Sequence, residues 1–74
     1  RMLIDAENKL KLTKLALQQS EESLRIRTNR FKQGLEKTSD LLMVETQYSQ
    51  KKLEYYQNIF EYNYAQAYLN FLTK

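Results

Sequence analysis

Arg30-Phe31-Lys32-Gln33-Gly34-Leu35-Glu36-Lys37-Thr38-Ser39-Asp40 holds the single glycine of a 74-residue chain that contains no proline. The sequence on either side favours helix, since Leu, Lys, Glu and Gln are abundant and Gly34 alone interrupts their propensities. Gly34 stands where the left-handed cap of a first helix is wanted, because glycine takes positive φ there without a steric penalty. Thr38 or Ser39 is expected to cap a second helix. Asp40 then places a negative charge in its first turn, where the helix dipole favours it. The expected fold class is all-α: a long antiparallel helical hairpin, with a helix over about 2–33, a turn over about 34–38 and a helix over about 39–72.

Upstream of the turn, Leu3, Leu10, Leu17, Leu24 and Phe31 recur every seventh residue, the mark of a coiled-coil seam. Ala6, Thr13 and Ser20 follow three residues after the first three of them. The seam thus alternates large and shallow positions, which suits a close antiparallel contact. A weaker stripe through Leu12, Ala16, Ser23 and Ile26 lies to one side. Downstream, Leu41, Tyr48, Tyr55, Tyr62 and Leu69 make a second sevenfold row. Leu42, Thr46, Ser49, Leu53, Tyr56, Phe60 and Ala67 form another face beside it.

A sustained seven-residue period keeps its seam only if the helices supercoil left-handedly. At about 1.5 Å per residue each arm is on the order of 50 Å long. A rod of this size cannot enclose a core by itself, so something outside the chain is expected to cover its apolar faces. A closed ring of hairpins and an ordinary four-helix bundle both satisfy that demand.

Composition narrows the function. The chain has no cysteine and no histidine, which removes thiol nucleophiles, zinc knuckles, the usual general base near neutral pH and the commonest metal ligand. An enzyme is not expected, nor is any cofactor or bound metal. The net charge of +3 is small and acidic residues intersperse with basic ones, so no nucleic-acid partner is expected. The longest aliphatic run, Leu41 to Val44, is far short of the roughly 20 residues that cross a bilayer. No membrane contact by this segment is expected. With no charged-then-apolar leader at Arg1, the chain reads as a fragment of a longer protein.

The segment Arg30-Phe31-Lys32-Gln33-Gly34-Leu35, followed by Asp40-Leu41-Leu42, resembles the hairpin-tip signature of TolC-like outer-membrane efflux proteins: an arginine, an aromatic, Gly-Leu, then Asp-Leu-Leu. Asn8-Lys9-Leu10 to Leu24-Arg25-Ile26 is similar to that family's ascending helix. Tyr48, Leu53, Tyr62 and Leu69 fall where its descending helix carries Tyr and Leu. The resemblance implies the C-terminal hairpin repeat of a trimeric channel, whose long periplasmic α-helical barrel continues from an outer-membrane β-barrel. It places the segment in the periplasmic portion of an outer-membrane protein of a Gram-negative envelope. The implied partners are the coiled-coil tips of a periplasmic adaptor (membrane fusion) protein, an inner-membrane pump reached indirectly, and further protomers of the trimer.

Carried over residue by residue, the resemblance assigns adaptor docking to Gly34, Leu35, Glu36 and Lys37, and the pore entrance to Phe31 and Asp40. Two positions depart from the family pattern. Lys37 stands where many members have a capping Ser or Thr, so the cap must shift to Thr38 or Ser39. Met43 stands where some have a second aspartate, which weakens the case for a cation-selective entrance. The alternative is an interaction module, such as an adaptor hairpin or a scaffold, that dimerises into a helical bundle.

Each tip residue also has a plainer role. Gly34 serves as a C-cap and Asp40 as a first-turn charge. The cluster Arg25, Arg27, Arg30, Lys32 and Lys37 makes the tip locally positive, as a solvated face or as a patch that steers a partner. In the tip-distal half, Tyr55, Tyr56, Phe60, Tyr62, Tyr64, Tyr68 and Phe71 read as wide inter-helix packing, with each hydroxyl reaching a rim or a neighbouring helix. A ligand-binding aromatic box is the other reading.

Overall fold

The computed structural model describes residues 2–73; Arg1 and Lys74 lie outside them. Two helices fill almost all of that range: α1 (Met2–Lys32) and α2 (Thr38–Leu72). They pack against each other as an antiparallel hairpin 60 Å long and 14 by 13 Å across. Among the described residues there is no strand, and no helix is long and apolar enough to cross a membrane.

The seam follows the sevenfold rows. In α1, Leu3, Ala6, Leu10, Leu17, Ser20 and Leu24 are half-buried and Thr13 is buried. In α2, Leu41, Tyr48, Tyr55 and Tyr62 are half-buried. Alternating with them is a row that hydropathy does not reveal: Val44, Lys51, Asn58 and Ala65, of which Val44, Asn58 and Ala65 are buried. Two of its four members are polar, so it carries little apolar signal.

The buried Asn58 amide donates to the Thr13 hydroxyl at 3.0 Å and fixes the register. Thr13 Oγ1 in turn lies 3.0 Å from the Lys9 carbonyl and 3.1 Å from that of Leu10, either of which accepts its proton. A polar pair in an otherwise apolar seam favours the one alignment that satisfies both partners. That register sets Ala6 level with Ala65, and Ser20 level with Lys51. Layers of small or polar side chains therefore alternate with layers of Leu on Tyr.

Two members of the expected seam are more open than the pattern implies. Phe31 is 40% exposed and Leu69 is 44% exposed. Phe31 belongs to the last turn of α1, where the chain is already turning away. Leu69 sits level with the first turn of α1, where little of that helix remains to cover it.

The rows beside the seam face outward. Leu12, Leu53 and Phe60 are 68, 60 and 71% exposed, and Ile26, Leu42 and Tyr56 are also exposed. Among the described residues the buried hydrophobic core consists of Val44 and Ala65. So thin a core contributes little by itself, because stabilisation scales with the apolar area removed from water.

Candidate functional site

The tip is built by a glycine-terminated helix end. Gly34 has φ +75°, its N–H donates to the Phe31 carbonyl at 3.0 Å, and the Leu35 N–H reaches back to the Arg30 carbonyl at 2.9 Å. This pair of bonds is the Schellman arrangement, which satisfies the last carbonyls of α1. A Cβ at Gly34 would meet nothing within 4 Å. Backbone conformation, and not space, is what demands glycine there.

The second helix starts differently from the sequence expectation. Its N-cap is Lys37, in extended conformation (φ −80°, ψ 148°) and with no side-chain capping bond. Thr38 and Ser39 are already inside the helix, and the Leu41 N–H donates to the Lys37 carbonyl at 3.1 Å. The cap therefore does not shift downstream to Thr38 or Ser39. The turn has already brought the backbone to the helix start at Lys37, so both hydroxyl residues arrive too late to cap. Asp40 occupies the first turn, where its charge complements the dipole.

Glu36 is the structural centre of the tip. Its side chain is only 9% exposed, and Oε2 accepts from Arg27 Nη1 at 3.2 Å and from Arg30 Nε at 3.3 Å. Arg30 Nη2 also donates to the Leu35 carbonyl at 3.4 Å. One carboxylate thus ties the last turns of α1 to the loop. The positive cluster is correspondingly reduced, because Arg27 and Arg30 share Glu36, and Arg25 pairs with Glu22 through Nε at 3.1 Å. The Arg25 guanidinium holds the Glu22 carboxyl below its ordinary range. Lys32 and Lys37 are exposed and enter no ion pair among the described residues.

The six assigned residues thus do different things. Gly34 and Glu36 shape the turn. Leu35 stands 58% exposed at its apex, and Phe31 is exposed on the α1 side. Lys37 is exposed, and Asp40 is half-buried at the start of α2. Leu42 and Met43, each more than half exposed, extend the apolar surface down α2.

Away from the tip, Ala6 and Ala65 lie in a groove of about 580 Å3 together with Leu12, Phe60 and Tyr64, edged by Asp5, Asn8, Lys9 and Glu61. Lys9 and Glu61 pair across the helices at 3.3 Å. Of the tyrosines, Tyr62 accepts a 3.4 Å bond from Gln66 of its own helix, and Tyr48 lies 5.5 Å under the Lys52 ammonium. Among the described residues no buried side-chain N or O atom lacks a hydrogen-bond partner.

Sequence reasoning overlooked the Thr13–Asn58 pair and the Glu36 clasp. Asn58 could have been found by stepping in sevens from Val44. The clasp had no periodic signal, since it closes through a loop. In comparisons with family models, curated proteins and solved structures, no match to this chain was found.

Proposed function

We propose that this hairpin is a periplasmic tunnel and tip segment of a TolC-like outer-membrane efflux channel, which docks a periplasmic adaptor through its turn. The observation that carries this reading is the placement of apolar surface outside the hairpin's own seam. Leu42, Leu53, Tyr56 and Phe60 run along α2 where a neighbouring helix would cover them, and a ring of hairpins supplies such neighbours. The tip pattern, with Gly34 shaping the turn and Leu35 exposed at its apex, adds the docking element.

On this reading Leu35 and Lys37 meet the adaptor, Gly34 and Glu36 hold the loop that presents them, and Phe31 and Asp40 lie towards the pore entrance. The segment is a passive conduit and performs no catalysis. In the full-length protein that carries this hairpin, Leu35→Glu is expected to abolish crosslinking to the adaptor tip in intact cells. Lys11→Glu, in the tip-distal third of α1, should leave it intact. Unchanged crosslinking in the Leu35 variant would remove the docking assignment.

A further inference from the structure

Charge is spread unevenly along the rod. Residues 27–40 hold four basic and two acidic side chains, a formal charge of +2 out of +3 for the whole chain. Part of that excess is already committed within the turn, where Glu36 is 9% exposed and serves Arg27 and Arg30 together. What remains on the surface is Lys32, the last residue of α1, and Lys37, immediately before α2. Both are exposed and in no ion pair among the described residues. They flank Leu35 in the turn, which is itself 58% exposed.

The fold has a use for one of these lysines and not for the other. Lys32 closes the last turn of α1, where the helix dipole favours a cation. Lys37 has the backbone of the N-cap of a 35-residue helix and makes no side-chain capping bond. That position favours a side chain that accepts a hydrogen bond, and the dipole there disfavours a cation. An ammonium group only donates. A residue that breaks a local rule with no compensating contact in its own chain points to a requirement outside the fold.

We propose that Lys37 is a partner-selecting residue of the docking tip, which takes a carboxylate that the adaptor presents beside an apolar side chain. The apolar group lies on Leu35, and Lys32 adds a second, weaker attraction. This rests on the channel reading and specifies the chemistry of the adaptor surface. Charges at the rim of an interface steer encounter and reject like-charged partners more than they add affinity. Leu35 is then the anchor and Lys37 the selector. Two unpaired lysines fall short of the roughly four to eight basic residues that hold an anionic lipid surface, so the occupant is a protein carboxylate.

Crosslinking to the adaptor tip in intact cells, with the full-length protein and below saturation, provides the test. Lys37→Glu should lower the yield roughly tenfold, by placing like charges together, and Lys37→Ser about threefold, by removing one exposed attraction. Lys37→Arg, which keeps the charge, should stay within about twofold. Lys37→Ser suits the N-cap better than lysine does, so its loss of crosslinking cannot come from a weakened hairpin. Lys11→Glu makes the same change of charge far from the turn and should have no effect. An adaptor with one tip Asp or Glu replaced by Lys should restore the yield of the Lys37→Glu channel and lower that of the unaltered one.

Unchanged or increased crosslinking in Lys37→Glu overturns the proposal. So does a loss in Lys37→Arg as large as that in Lys37→Ser, which would make shape and not charge the requirement. Failure of every acid-to-lysine adaptor to restore the Lys37→Glu channel also overturns it. Leu35→Ser, which adds no charge, separates this from the channel reading. If it abolishes crosslinking while the Lys37 variants do nothing, docking stands and the acidic partner falls; if it too does nothing, both fall.

Discussion

At the turn, a covalent loop joins the helices, and two cap hydrogen bonds and the Glu36 carboxylate shared by Arg27 and Arg30 fix that loop to the end of α1. Away from the turn, among the described residues, the cross-helix polar contacts are the exposed Lys9–Glu61 pair and the buried Asn58–Thr13 bond. The turn end is therefore determined locally, over about ten residues. The far end is held by a bond between residues 45 apart in sequence. A loop constrains only the turns next to it, so a long hairpin needs a second lock far from the tip. The polar pair supplies it.

Breaking that second lock should have the largest effect. Thr13→Val removes the acceptor and leaves the Asn58 amide, only 4% exposed, buried without a partner. An unsatisfied buried donor costs about 1–3 kcal/mol, a large share of the stability of so thin a core. Replacing both partners, Thr13→Val with Asn58→Leu, should recover most of the loss, because the seam then becomes continuously apolar. Urea unfolding followed by circular dichroism, at one fixed chain concentration, measures both. A loss below about 0.5 kcal/mol in the single variant would mean that the pair does not hold the far end.

The tip lock should be weaker. Glu36→Gln keeps the shape but removes the charge between two arginines. Because Arg27 and Arg30 are about half exposed, water already screens much of their attraction, and the expected loss is about 1 kcal/mol. Hydrogen exchange should locate it, with faster exchange at the end of α1 and in residues 35–41, and unchanged rates around Thr13 and Asn58. Equal acceleration at both ends would show that the hairpin opens as one unit and that the two locks are not separate.

The same contrast explains what could be read from the sequence. The hairpin, its turn at Gly34 and the rows through Leu10 and Tyr55 were legible because periodicity and glycine chemistry are local signals. The outward rows through Leu12 and Leu53 were legible for the same reason. The row through Lys51 and Asn58 was not, because its polar members hide a seam position from any count of apolar residues. Glu36 was hidden differently. It was singled out as a docking residue, yet the geometry that buries it between two arginines exists only once the chain has turned. The start of α2 was misplaced by one or two residues, since Thr38 and Ser39 are good capping residues and nothing in the sequence says that Lys37 already has the capping conformation.

That misplacement leads to the smallest expected effect. Lys37 has the backbone of an N-cap but a side chain that cannot accept a hydrogen bond. Its ammonium also sits beside the positive end of the helix dipole. A serine at this position could accept from the N–H of Ser39 or Asp40, which no carbonyl within the helix can reach. Lys37→Ser should therefore raise stability by about 0.5–1 kcal/mol, with the urea midpoint moving up and the slope unchanged. Thr38→Ala should be nearly neutral, because Thr38 is already helical. If Thr38→Ala instead lost about 1 kcal/mol and Lys37→Ser gained nothing, α2 would begin one residue later, and the tip would present Lys37 as part of the loop.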